Sequence, residues 1–259
     1  MIIDEIIDNK HSELAESMQQ SPLNRVAEIA RRAPSPLSLA NAIRGHTVKL
    51  IAEVKKASPS RGVICRDFDP VRIASAYAEN GAVAISVLTE SKYFQGSLSY
   101  LQSLKYLLKA RKLPLIRKDF IIHPYQVYEA RAYGADSILL ITSLLDDCLL
   151  HELFNLATGM GMDCLVEVHN EDDLRKALEC GAKVIGINNR DLRTFKVDIA
   201  VTRRLRPLVP KDRLVVSESG IGSPADITLM QNLQVNAVLI GEALISSPDI
   251  GAKIKELFA

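Results

Sequence analysis

From residue 48 onward, short runs rich in β-branched residues alternate eight times with stretches of helical period, and this alternation restricts the fold more than any other feature. The runs lie at 48–54 (VKLIAEV), 82–88 (AVAISVL), 113–118 (LPLIRK), 136–141 (DSILLI), 163–168, 183–188, 213–218 and 236–241. Strands separated by helices pair in parallel through βαβ crossovers. The punctuation agrees. Asp69-Pro70, Ser223-Pro224 and Ser247-Pro248 each set a capping side chain before a proline at the first helical position. Gly81-Ala82, Gly134-Ala135 and Gly181-Ala182 read as glycine-closed helices directly before a strand, and Asn236 is expected to close another in the same way.

Two closures suit such a pattern, an open doubly wound sheet or a ring. No GxGxxG or GxxxxGK[ST] follows the first strand, and eight units fill the 259 residues, so the expected fold is α/β, a (β/α)8 TIM barrel with an N-terminal helical extension. The chain reads as one domain, 1–259, with 1–46 as the extension. There Ile2, Ile3, Ile6, Ile7 and Leu14 fall on one helical stripe, and Pro22, Pro34 and Pro36 divide the segment into short helices. Such a helix either caps the bottom of the barrel or lies as a lid over its mouth, and both readings stay open.

Charge balance narrows the partners. With 32 basic against 31 acidic side chains the net charge is +1, which gives no bulk attraction for nucleic acid or for an anionic membrane. No apolar run is long enough to span a bilayer, and Asp4, Glu5 and Asp8 among the first isoleucines are unlike a secretory leader. Cys65, Cys148, Cys164 and Cys180 show no CxxC pairing, which fits a reducing compartment, so the expected location is cytoplasmic. The five histidines form no HxxxH or HxxE spacing, and no cofactor or metal is expected.

The chemistry is expected where polar groups end strands, because below the mouth a barrel is packed with apolar side chains. Glu53 and Lys55 share one face of the first strand at a period of two, and pointing outward they would lie unsatisfied beneath the helices. Strand three ends Arg117-Lys118-Asp119-Phe120, strand five Glu167-Val168-His169, strand six Asn188-Asn189-Arg190-Asp191, and strand seven Glu218-Ser219-Gly220. Any one of these endings is more simply a structural ion pair. Five on one rim carry a desolvation cost that brings folding nothing in return, and they point instead to acid-base work. Gly220 and Gly241, followed by Glu242, stand where such barrels bind phosphate through backbone N–H groups, and Ser58 and Ser219 offer hydroxyls. Phe94 and Phe120 follow strands two and three; singly, each is more often core than ligand contact.

The strings EVKKASPSRG at 53–62, SKYFQGS at 91–97, RKDFI at 117–121, LVEVH at 165–169, IGINNRDL at 185–192 and SESGI at 217–221 resemble indole-3-glycerol-phosphate synthases. The resemblance covers essentially the whole chain. It implies ring closure of 1-(2-carboxyphenylamino)-1-deoxyribulose 5-phosphate to indole-3-glycerol phosphate, with loss of carbon dioxide and water, a step of tryptophan biosynthesis. It implies a catalytic set of Glu53, Lys55, Lys118, Glu167, Asn188, Glu218 and Ser219. Lys118 would protonate the ketone, with Glu53 charge-paired to it. Lys55 and Arg190 would hold the substrate carboxylate, and Glu167 would exchange protons in the dehydration, with Asn188, Glu218 and Ser219 positioning hydroxyls. Ser58, Phe94, Phe120, Arg190, Leu192, Gly220, Gly241 and Glu242 are the expected substrate contacts. The loop 56–67 is expected to gate the mouth, and the protein to act as a monomer on a small phosphorylated substrate. Two other readings compete. A phosphoribosylanthranilate-type isomerase is expected to carry a cysteine or aspartate base where this chain has Glu53-Val54-Lys55, and a non-catalytic phosphometabolite-binding barrel predicts missing rim residues.

Overall fold

The computed structural model describes residues 2–259, and of Lys109 the backbone only. Eight parallel strands close into a barrel: β1 (Lys49–Val54), β2 (Ala82–Leu88), β3 (Leu115–Lys118), β4 (Ser137–Ile141), β5 (Asp163–Val168), β6 (Val184–Asn188), β7 (Leu214–Glu218) and β8 (Ala237–Ile240), with β8 pairing back onto β1. Every strand falls within two residues of its predicted run. Among the described residues no helix is long and apolar enough to cross a membrane.

Strands buried on both faces need apolar residues at both parities, and the two parities serve two cores. Leu50, Ala52 and Val54 of β1 belong to the shell between strands and helices. Ile51 belongs to the barrel interior, with Ala84, Ile116, Leu139, Leu165, Val184, Val216 and Leu239. Ile51, Ile116, Leu165 and Val216 stand on the odd strands β1, β3, β5 and β7. One pleat further along the same four strands come Glu53, Lys118, Glu167 and Glu218. Interior side chains of such barrels stack in layers drawn from alternate strands. The four charged residues are therefore the top odd-strand layer, resting on an apolar one.

Helix starts follow the predicted caps at two of three places. Asp69 accepts from the N–H groups of Val71 and Arg72, and Ser223 forms a capping box with Asp226. At the third, Ser247-Pro248 comes two residues too early: the last helix, Ile250–Leu257, is capped by Asp249. Gly81, Gly134 and Gly181 take left-handed conformations with φ of 93°, 92° and 85°. Near Asn236 the left-handed residue is Gln234, at φ 56°. Asn236 instead turns its side chain back to accept the N–H of Val215 at 2.8 Å.

The N-terminal extension does both jobs that the sequence left open. Helix α1 (Ile2–Gln20) lies over the mouth, where Ile3 and Ile6 border the central cavity. Helices α2 (Leu23–Arg32) and α3 (Leu39–Ala42) lead below, and Leu39, Ala40 and Ile43 plug the barrel floor. Two aspartates at strand starts, Asp136 buried and Asp163 half-buried, fasten this plug. Asp163 accepts from Ser38 Oγ and Ala40 N, both at 2.9 Å. Asp136 accepts from Leu37 N at 2.8 Å, Leu115 N at 2.9 Å and Lys105 Nζ at 2.5 Å. Asp136→Ala strips these three donors of their acceptor at a site with no solvent access. It is expected to cost about 3 kcal/mol, read as a lower urea midpoint at unchanged m.

Candidate active site

A cavity of about 430 Å³ opens at the carboxyl ends of the strands and is floored by the charged layer. Glu53, Lys55, Lys118, Glu167, Asn188, Arg190, Leu192, Glu218, Ser219, Gly220, Gly241, Glu242, Phe94 and Phe120 all border it. Ser58 does not. It is buried in a short ribbon, Ala57–Ser58 against Gly62–Val63, with its Oγ 3.5 Å from that of Ser60.

Lys118 Nζ lies 3.8 Å from a carboxylate oxygen of Glu167 and 3.8 Å from one of Glu218. Glu53 is not its direct partner, contrary to expectation: Glu53 Oε1 is 2.7 Å from Lys55 Nζ on the same strand face. The reason is the pleat, which sets residues 53 and 55 side by side, whereas Glu53 and Lys118 stand on β1 and β3 with β2 between them. Lys55 is accordingly engaged by Glu53 rather than free for a substrate carboxylate. Burial disfavours the ammonium of Lys118, but Glu167, Glu218 and Glu53 outweigh it and hold its proton more tightly than usual.

Two carboxylates around one lysine divide their protons. Glu167 and Glu218 are both 1 % exposed. Burial resists ionisation of Glu167, yet Lys118, His169 and Asn188 keep it below the usual carboxylate range. Burial and the charge of Glu167 push Glu218 up, to about 8. The pair titrates as a unit and at neutral pH presents a carboxylate beside a carboxylic acid. Burial likewise opposes the charge of Glu53, which Lys55 and Lys118 nonetheless hold ionised.

Neighbouring strands make room for this layer. A Cβ on Gly241 would collide with Glu53 Oε1 and lie 3.0 Å from Glu53 Cβ. A Cβ on Gly186, in the middle of β6, would collide with Glu218 Oε1. Gly241 thus serves Glu53 as well as the rim. After β7, Ser219 and Gly220 are both left-handed, with φ of 65° and 79°, which turns the chain sharply across the mouth. On the rim Arg61 pairs with Glu242 at 2.5 Å, and Arg190 lies 3.7 Å from the same carboxylate. One wall is aromatic, Phe94 against Phe120 with ring centres 6.2 Å apart. Buried Glu90 shapes the loop that carries Phe94 by accepting the N–H groups of Lys92, Tyr93 and Phe94.

The lid is held by charge. Lys10 of α1 is 5 % exposed and sits 3.0 Å from Asp119, which also pairs with Arg117 at 3.1 Å. Of the Arg117-Lys118-Asp119 ending, only Lys118 therefore serves the charged layer, and its neighbours are structural. The Ile3 and Ile6 roof, and Lys10 and Gly186 that support the site from behind, are not among the site residues the sequence singles out. A lone glycine inside the apolar run 183–188 was the available signal for Gly186. Lys10 carried none, since nothing local distinguishes it from a solvated helix lysine.

The family model described as indole-3-glycerol phosphate synthase matches residues 3–257. The chain is 53 % identical over 258 residues to the indole-3-glycerol phosphate synthase of Dehalococcoides mccartyi (strain CBDB1), covering 99 % of this chain and 100 % of that one. To the protein of the same description from Roseiflexus sp. (strain RS-1) it is 48 % identical, covering 99 % and 97 %. Among solved structures, a 3-hexulose-6-phosphate synthase from Salmonella typhimurium superposes with a TM-score of 0.65 at 13 % identity, covering 81 % of this chain and 96 % of that one. A thiamine phosphate pyrophosphorylase from Pyrococcus furiosus superposes at 0.64 and 17 %, covering 85 % and 96 %. These two share the barrel. The matches along the whole length show that the chain belongs to the indole-3-glycerol phosphate synthase family.

Proposed function

We infer that this chain is a decarboxylating lyase that closes the indole ring of 1-(2-carboxyphenylamino)-1-deoxyribulose 5-phosphate, releasing carbon dioxide and water. The observation that carries the reading is the odd-strand layer: one lysine bracketed by an ionised and a protonated carboxyl group at the floor of a cavity with an aromatic wall. Ring closure joins the carboxyl-bearing aromatic carbon to the ketone carbon, and negative charge develops on the ketone oxygen. Lys118 stands ready to stabilise that charge and pass it a proton. Its tightly held proton is no obstacle, because the alkoxide formed is more basic than any lysine. Carbon dioxide then leaves and the ring regains aromaticity. In the second stage a hydroxyl departs as water. Glu218, protonated at neutral pH, supplies the acid side, Glu167 takes the ring proton, and Asn188 and Ser219 orient the hydroxyl.

Phosphate binding is assigned to the rim formed by Ser219-Gly220 and Gly241-Glu242, where close backbone approach is available. The rim cations Arg61 and Arg190 are assigned to the substrate carboxylate once they leave Glu242, and Lys55 joins them if it releases Glu53. The ribbon at 57–63 carries Pro59 and Arg61 into the cavity wall, so its movement would open the mouth. The layer is complete within one chain, so a monomer suffices. The test is direct: the purified protein, given the carboxyphenylamino substrate, is expected to generate indole absorbance and fluorescence together with one carbon dioxide per turnover. Binding without either signal would overturn the reading.

A further inference from the structure

His169 comes directly after β5, two residues beyond Glu167, and none of the steps above uses it. Its ring lies between two carboxylates, with Nε2 3.4 Å from Glu167 Oε1 and Nδ1 3.5 Å from Asp173 Oδ2. A neutral imidazole has one N–H and would turn the bare lone pair of its other nitrogen toward an anionic oxygen. Only the imidazolium offers N–H to both sides. The Asp173 oxygen is itself fixed, accepting the backbone N–H of His169 at 3.0 Å and Asn170 Nδ2 at 3.2 Å. The other charged groups acting on this region are Asp191 in the loop after β6, Glu218 on β7, and Lys118 across the cavity. Burial works against the ring's charge, but Asp173 and Glu167 overcome it and raise His169 to about 10.

We propose that His169 is a positioning residue, a standing imidazolium clamped by Asp173 that fixes Glu167 and keeps it ionised for proton removal in the dehydration. The proposal rests on the role given above to Glu167. Its physical logic lies in the order of the two stages. Lys118 is shared equally between Glu167 and Glu218, and once its proton moves to the ketone oxygen Glu167 loses that counter-charge. His169 does not take part in that transfer. It therefore leaves Glu167 a carboxylate at the point where the second stage needs one.

His169→Gln, in the full-length protein and with the carboxyphenylamino substrate, is expected to lower kcat about tenfold or more at neutral pH with KM changed less than about threefold. The acidic limb of the kcat profile should move to higher pH, because a Glu167 with one cation fewer takes up its proton sooner as pH falls. A purely structural role would lower kcat without moving that limb, and would overturn the proposal. Nitrogen-15 spectra of the parent protein supply a measurement that does not depend on the variant folding. Both ring nitrogens of His169 are expected to stay protonated through about pH 9, and a ring titrating near the ordinary histidine value of about 6.5 would overturn the proposal. Glu167→Gln separates the two ideas. If it retains turnover, the role of Glu167 fails by itself; if it is inactive while His169→Gln behaves as the parent, only the role of His169 fails. In the Glu167→Gln background, His169→Gln should cause no further loss, and an undiminished loss there would contradict action through Glu167.

Discussion

Lys118→Met is expected to lower kcat by about a thousandfold or more, the combined loss of a proton donor and of the charge facing the ketone oxygen. The protein should remain folded. Methionine keeps most of the lysine's length within the barrel, and the carboxylates left behind have an outlet, because Glu218 already favours its proton and Glu167 can take another. Circular dichroism and the thermal midpoint check the fold, and indole formation under saturating substrate checks kcat. A variant that retains more than about a tenth of parental kcat would remove Lys118 from the central role.

Gly241→Ala tests the layer through a residue without a side chain, and because Gly241 also belongs to the phosphate rim, inorganic phosphate binding measured in parallel separates the two effects. The added methyl would meet Glu53 Oε1 and its Cβ and Cδ, at 3.0 and 3.1 Å for the two carbons. The backbone there is not left-handed, with φ −121°, and the collision with Glu53 is the main demand that alanine would make. Glu53 must swing aside, which breaks its 2.7 Å contact with Lys55 and withdraws negative charge from Lys118. The expected loss in kcat/KM is about a hundredfold, the lower end of what misplacing a charged group costs. Gly159→Ala is the control: a Cβ there meets nothing within 4 Å, and activity should be unaltered. Equal activity in the two variants would show that the position of Glu53 is immaterial.

The eight strands were legible because barrel strands buried on both faces have to be apolar throughout, so a charged residue near a strand end stands out. That contrast carried Glu53, Lys118, Glu167 and Glu218 directly from sequence to site. Partnerships were less legible. The resemblance pairs Glu53 with Lys118, whereas the structure pairs it with Lys55, since strand tilt and side-chain reach decide between a neighbour on the same pleat and a residue two strands away. By sequence Ser58 reads as a rim hydroxyl, but the ribbon between residues 57 and 63 buries it away from the cavity. The extension was ambiguous because its apolar stripe fits either end of the barrel. What divides it is long-range: Lys10 to Asp119 above, and Ser38 and Leu37 to Asp163 and Asp136 below. Such contacts span about a hundred residues and leave no local trace.

The most direct measurement of the central claim is a crystal structure with indole-3-glycerol phosphate bound. The indole ring is expected beside Phe94 and Phe120 beneath Ile3 and Ile6, with the phosphate on the Ser219-Gly220 and Gly241-Glu242 rim and the glycerol chain reaching toward Lys118 and Glu167. Product bound outside this cavity, or within it with the ring far from Lys118, would contradict the account.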